Sequence, residues 1–131
     1  MPQNVKLLVT RQFPTNVLER CQRDYNCTLN PNDTDWPDEE LIDQSSGHDA
    51  IFFSSGNKFT ADVIAALPNE VKILATFSVG YEHIDLSAAL KRNLVVVNTP
   101  HVLNEATADI AFMLMLCASR RAREADKMVR N

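Results

Sequence analysis

The sequence predicts an α/β protein: a doubly wound, parallel five-stranded sheet followed by one long C-terminal helix. Three observations carry this prediction. Five short apolar or β-branched runs recur before residue 100, and each is followed by residues that start and stop a helix. Strands alternating with helices at this spacing pair in parallel, with helices on both faces. After the fifth run the pattern changes to an uninterrupted helical stretch from Asn104 onward.

Taken in order, Val5–Val9 is the first strand, and Pro14 suits the first turn of a helix ending near Cys21. Tyr25–Leu29 is a second, weaker strand. Pro31–Trp36 is loop, and Pro37-Asp-Glu-Glu40 opens a helix with acids where the helix dipole favours them. Gly47 closes that region. Asp49–Ser54 is a third strand, apolar enough for burial on both faces. Thr60 is the N-cap of Ala61–Leu67, and Pro68 stops that helix. Val71–Phe77 is the fourth strand. Asp85 caps Leu86–Arg92, with Asn93 in the left-handed position after it. Leu94–Val97 is β-branched and reads as an interior strand. Asn98-Thr-Pro100 is the domain junction, dividing residues 1–99 from residues 100–131.

The last segment is more than a crossover. Asn104 reads as its N-cap, and nothing in the sequence breaks it before Asn131. A helix of that kind is roughly 37 Å long, whereas a strand spans about 17–20 Å. Ile110–Ala118 is apolar around its full circumference and requires burial on more than one side. The segment is therefore expected to belong to a second structural unit or a subunit interface.

Composition excludes several classes. Within 131 residues, 45% hydrophobic and 23% charged content fits a globular chain with one core. A net charge of −4, with no basic run outside the last helix, argues against nucleic-acid binding. The apolar run Ile110–Ala118 is far short of the ~20 residues of a membrane span, and no signal-peptide pattern opens the chain. Cys21, Cys27 and Cys117 have no metal-ligand spacing and read as reduced thiols. A cytoplasmic protein with no metal site is expected.

In an open parallel sheet, ligands bind at the carboxyl ends of the strands, near the reversal of strand order. For the order 2-1-3-4-5 the relevant loops are Thr10–Phe13, Ser54–Asn57 and Ser78–Tyr81. Two of these carry a glycine beside small residues, so their consecutive amides form a concavity suited to a carboxylate or phosphate. The same glycines also suit plain tight turns.

The ordered set Ser78-Val-Gly-Tyr-Glu-His-Ile-Asp85, Ala88-Ala-Leu-Lys-Arg92, Val96-Val-Asn-Thr-Pro100 and Leu103-Asn-Glu-Ala-Thr-Ala-Asp109 resembles the D-isomer-specific 2-hydroxyacid dehydrogenases. Within them it is most similar to the glyoxylate/hydroxypyruvate reductase branch. The resemblance implies a flavodoxin-like substrate domain over residues 1–99. It further implies that residues 100–131 are the hinge and first helix of a nucleotide-binding domain. It assigns carboxylate binding to the amides of Ser78, Val79 and Gly80, with Ser55 and Gly56 closing from the same side. It implies NAD or NADP as cofactor of the complete enzyme, a small 2-keto or 2-hydroxy acid as substrate, and a homodimer through the helix Asn104–Asn131.

The chain departs from that pattern. Its only glycines are Gly47, Gly56 and Gly80, none in a dinucleotide fingerprint. The Arg, acid and His that the family uses in catalysis lie beyond Asn131. No catalytic or cofactor-binding residue is therefore expected here, and the chain alone is expected to bind no cofactor and turn over no substrate. Glu82 stands where aspartate is more usual, and Asn93 where glycine is common.

His83 and His101 flank the site but read as surface or hinge residues, because a general acid needs an orienting partner and reach to the reacting oxygen. Arg11 is either an anion contact or a solvated loop residue. The basic residues Arg120, Arg121, Arg123, Lys127 and Arg130 complement the end of the helix dipole. Met113 and Met115 fill a core or an interface. Two other readings stand beside the enzyme: a self-contained flavodoxin-like binding module, and a corepressor-like interaction protein on the dehydrogenase scaffold.

Overall fold

The structure, a computed structural model, describes residues 4–130 and divides into two units, Met1–Thr99 and Pro100–Asn131. The first unit alternates β1 (Lys6–Val9), α1 (Thr15–Asp24), β2 (Asn26–Leu29), α2 (Asp38–Gln44), β3 (Ala50–Phe53), α3 (Ala61–Ala66), β4 (Ile73–Thr76), α4 (Leu86–Lys91) and β5 (Val95–Val97). The five strands form one parallel sheet in the order β2-β1-β3-β4-β5. This is the flavodoxin-like arrangement expected from the alternation of strand and helix signals.

Strand side chains alternate between faces, so each strand supplies two cores. Leu8, Ile51, Phe53 and Leu74 face α2, α3 and α4 and pack with Leu41, Val63, Ile64 and Ala89. Leu7, Val9 and Ala50 face the other way, toward Val17, Leu18 and Cys21 of α1. Three helices cover the first face and one covers the second. Ile73, Phe77, Val95 and Val97 are consequently left exposed.

Local chemistry sets the ends of the elements. The Thr60 side chain accepts from the Val63 N–H, and the Asp85 side chain from the Ala88 N–H, so both act as N-caps. Gly47 (φ 74°) and Asn93 (φ 55°) take the left-handed conformation after α2 and α4. Arg92 donates to the carbonyls of Ile64, Leu67 (2.9 Å) and Pro68 (3.2 Å), satisfying groups left over at the end of α3.

Several expectations are corrected. The first helix runs past Cys21 to Asp24. The strands are a residue or more shorter than their apolar runs; Val71 and Phe77 flank β4, for example, rather than belonging to it. β5 is an edge strand, not an interior one. It pairs with β4 alone, its β-branched residues favouring a strand at an edge as much as in the interior, and Val95 and Val97 are exposed.

The second unit holds α5 (Asn104–Ser119) and α6 (Ala122–Arg130) in place of one unbroken helix; Asn131 lies outside the described residues. The break falls at Arg120–Arg121. The Ser119 hydroxyl donates to the Leu116 carbonyl (3.0 Å), competing for an acceptor of the last turn, and Arg121 then turns left-handed at φ 52°. Nor does Asn104 cap α5. Leu103 occupies that position without a side-chain cap, and Asn104 Nδ2 instead contacts His101 Nδ1 at 3.4 Å.

Candidate carboxylate site

The loops that follow β1, β3 and β4 lie side by side because those strands are neighbours in the sheet. Buried polar side chains fasten them. Thr10 Oγ1 donates to Asn57 Oδ1 at 2.7 Å, tying the end of β1 to the loop after β3. Asn30 Nδ2 donates to the carbonyls of Thr10 (3.0 Å) and Thr34 (2.8 Å). An isolated parallel bridge between Phe59 and Ile84 fastens the two glycine loops together. In it the Phe59 N–H donates to His83 O at 2.8 Å, and the Asp85 N–H to Phe59 O at 2.9 Å.

The loop after β4 has an unusual polarity. Its three consecutive carbonyls each accept a bond from the protein. Ser78 O accepts from the Thr99 N–H (2.9 Å), Val79 O from Asn98 Nδ2 (2.8 Å), and Gly80 O from Ser78 Oγ (2.6 Å). Among the described residues, no acceptor is bonded to the main-chain N–H groups of Ser78, Val79 or Gly80. In the loop after β3, the N–H groups of Ser55 and Gly56 are in the same condition, and the turn is closed by Asn57 N–H to Ser54 O at 3.1 Å. Ser55 and Gly56 are exposed, and residues 78–80 are half-buried. A main chain with its acceptors spent and its donors open is suited to an anion.

The backbone at Gly80 does not itself demand a glycine. Its φ is not in the left-handed range. The atoms nearest to where a Cβ would stand are the carboxylate end of Glu82, which folds back against Gly80 on an exposed, flexible side chain that can swing aside. Sequence reasoning also missed the buried Asn30 and Asn57. Their signal was a polar residue standing just beyond an apolar strand or inside a Gly-containing turn.

His83 is neither a free surface group nor an isolated one. It lies edge-on to Phe53 with ring centroids 5.8 Å apart, and its Nε2 is 2.9 Å from Thr76 Oγ1. Thr76 Oγ1 in turn is 2.7 Å from Ser78 Oγ. The Ser78 hydroxyl has one proton and spends it on Gly80 O. Thr76 therefore donates to Ser78 and accepts from His83, which fixes the imidazole with its proton on Nε2. Burial holds the His83 pKa below 6.5, with the Glu82 charge opposing that shift.

Arg11 is paired rather than available. It bonds Asp33 at 2.9 Å and Asp35 at 3.1 Å while passing 3.8 Å from where a Cβ of Gly56 would stand. The Gln12 N–H and the Arg11 guanidinium together hold the Asp33 carboxyl below its usual range. Phe13, Phe52 and Phe77 form an aromatic cluster, with centroid separations of 4.3, 5.3 and 6.2 Å, that joins the same three strand ends on the α1 side. An apolar concavity of about 310 Å³, lined by Leu7, Cys21, Ala50 and Ile73 among others, lies at the opposite ends of the strands. In the second unit, His101 is left-handed at φ 68° and exposed.

The residues present do not fit a dinucleotide. Gly47, Gly56 and Gly80 are the only glycines, and none forms a strand-to-helix pyrophosphate turn. Among the described residues, no group of three or more His, Cys, Asp or Glu side chains is placed to hold a metal. Nor is any helix among them long and apolar enough to cross a membrane.

An open parallel sheet in the order β2-β1-β3-β4-β5, with open-amide loops at the carboxyl ends of β3 and β4, defines a doubly wound, flavodoxin-like α/β domain. Comparison with known proteins narrows that class. The profile of the family "D-isomer specific 2-hydroxyacid dehydrogenase, catalytic domain" matches residues 7–128, and the chain belongs to that family. It is 34% identical over 125 residues to a glycerate dehydrogenase of Hyphomicrobium methylovorum, covering 95% of this chain and 39% of that protein. It is 36% identical over 126 residues to a glyoxylate reductase of Thermococcus litoralis, covering 96% and 38%. Among solved structures, a glyoxylate reductase from Paecilomyes thermophila superposes with a TM-score of 0.76 at 26% identity, covering 93% of this chain and 40% of the other. The chain thus spans about two fifths of the length of the relatives it matches.

Proposed function

We propose that this chain is the substrate-carboxylate-binding part of an NAD(P)-dependent oxidoreductase that reduces small 2-keto acids of the glyoxylate or hydroxypyruvate type to D-2-hydroxy acids. In this reading residues 1–99 are the substrate domain. Residues 100–131 are the hinge and the first helical segment of a nucleotide-binding domain. The reading is carried by one observation: the loop Ser78–Gly80 has every carbonyl engaged and its amides open, on the segment through which the chain matches its family.

The amides of Val79 and Gly80 are assigned the carboxylate, Ser78 the near edge of the cradle, and Ser55 and Gly56 the second wall. Each such bond nets only about 0.5–1.5 kcal/mol, or 1.5–3 kcal/mol to a charged group, so affinity in the isolated chain is in roughly the millimolar range or weaker. Acid–base groups and the cofactor site are assigned to parts of the whole protein outside residues 1–131. A cytoplasmic setting and a homodimer through α5 belong to the same reading. The dimer is supported by the exposure of Ile110, Phe112, Leu114 and Leu116.

Titration of the ¹⁵N-labelled chain with sodium glyoxylate, against sodium chloride at equal ionic strength, tests the reading. The expected result is selective movement of the amide signals of Ser55, Gly56, Val79 and Gly80, with no oxidation of NADH or NADPH by the chain. Signals that move only elsewhere, or turnover by these 131 residues, would overturn it.

A further inference from the structure

We propose that Asn98 is a positioning residue for the substrate carboxylate, acting through the main-chain N–H of Gly80. The inference rests on the reading of the Ser78–Gly80 loop given above, and begins from the planarity of the peptide bond. In a trans peptide the C=O of one residue and the N–H of the next lie in one plane and point in opposite directions. A donor that holds a carbonyl therefore also sets the direction of the following amide.

Applied to this loop, the rule separates three controls. The Thr99 N–H holds Ser78 O at 2.9 Å and so sets the Val79 N–H. Asn98 Nδ2 holds Val79 O at 2.8 Å and so sets the Gly80 N–H. The Ser78 hydroxyl, oriented by Thr76 and His83, holds Gly80 O at 2.6 Å and so sets the Tyr81 N–H. The two amides assigned to the carboxylate are thus aimed by Asn98 and Thr99, the last two residues of the first unit.

Only one of those two controls is a side chain. Thr99 acts through its backbone, so almost any residue serves there. The Asn98 amide has no such substitute: it is half-buried and its bond crosses from the end of β5 to the loop after β4. Without that donor, Gly80 has no Cβ to resist rotation of the 79–80 peptide. The peptide is then free to turn its carbonyl outward, placing an acceptor where a carboxylate oxygen needs a donor. Asn98 thereby links the position of the domain junction to the polarity of the binding loop.

The test uses this chain, ¹⁵N-labelled, with sodium glyoxylate as the probe. Asn98→Ala removes the donor, and Asn98→Asp replaces it with a carboxylate that repels Val79 O. Both are expected to weaken glyoxylate binding about tenfold or more, the loss expected for one amide bond to a charged group. The response of the Gly80 signal should disappear while those of Ser55 and Gly56 persist. The signals of Leu8, Ile51 and Phe53 report whether the fold is intact, and Lys91→Ala, at an exposed position of α4 outside the loop and its supports, should bind as the unaltered chain does.

If the folded Asn98 variants bind within twofold of the unaltered chain and keep the Gly80 response, the role of Asn98 is overturned and the carboxylate site stands. If the unaltered chain shows no response at Val79 or Gly80, both are overturned. A measurement without substitution decides the case should the variants unfold. Glyoxylate should move the Asn98 side-chain NH₂ signals together with that of Gly80, because the ligand polarises the peptide that joins them. Stationary Asn98 signals during a Gly80 response would overturn the proposal.

Discussion

Glu82 folds its carboxylate back over Gly80, with Oε1 3.2 Å from the point where a Cβ of that glycine would stand. The open amides of the loop thus have an exposed negative charge as a neighbour, which works against an incoming carboxylate. Glu82→Gln keeps the shape and removes the charge. It is expected to tighten glyoxylate binding about two- to fivefold at low salt, with the gain shrinking as ionic strength rises. An affinity unchanged by this substitution at 10 to 20 mM salt (roughly the regime of a 30 Å screening length) would show that Glu82 is electrostatically irrelevant to the loop.

The tautomer and pKa of His83 follow from the hydroxyl relay beneath it. Its folded pKa lies below 6.5 because burial disfavours the imidazolium. The unfolded chain therefore binds the proton more readily. The stabilisation is complete above pH 6.5 and is lost as pH falls toward and through the lower folded value. Histidine NMR titration should give a midpoint for His83 below that of the same residue in the denatured chain, with the proton retained on Nε2. Glu82→Gln should lower the midpoint further, since the Glu82 charge raises it. A midpoint at or above 6.5 contradicts the assignment.

Thr76 is 2% exposed and carries the middle of the relay. Thr76→Val preserves volume but deletes both bonds, leaving His83 Nε2–H without its acceptor. The expected cost is about 1–3 kcal/mol, read as a lower urea midpoint at unchanged slope. The Tyr81 amide signal should shift as well, because Ser78 is freed to rotate.

Cys27 has its thiol pKa pushed up to about 11, by burial first and by nearby Cys21 second. With a thiol-specific reagent near pH 8, exposed Cys117 should label first. Cys27 should lag by on the order of a hundredfold, because its thiolate fraction is that much smaller than an ordinary thiol's. Comparable labelling rates at both sites would contradict the buried setting of Cys27.

The apolar residues of α5 are exposed around the whole helix, including Phe112, Met113 and Leu116. Light scattering should find the chain self-associated, and Phe112→Glu with Leu116→Glu together should shift it toward monomer without disturbing the sheet. A monodisperse monomer before substitution would sink the proposed dimer helix.

Much of this molecule follows from local patterns. The five apolar runs, the caps at Thr60 and Asp85, and the left-handed Asn93 are each dictated by side chains within a few residues of one another. The parallel pairing, and with it the placement of both glycine loops at one end of the sheet, follows in turn from that alternation. The edge position of β5 and the break between α5 and α6 did not follow, because a β-branched run looks alike at an edge or an interior, and a single Ser119 hydroxyl is a weak local signal.

The polarity of the loop after β4 belongs largely to the tertiary structure. The carbonyls of Ser78 and Val79 are occupied by Thr99 and Asn98, about twenty residues away, while Gly80 O is held locally by the Ser78 hydroxyl. Hydrogen-bond partners of that separation are fixed by which strands become neighbours. Sequence spacing can thus place a donor-rich turn, while only the packed sheet decides which way its amides face.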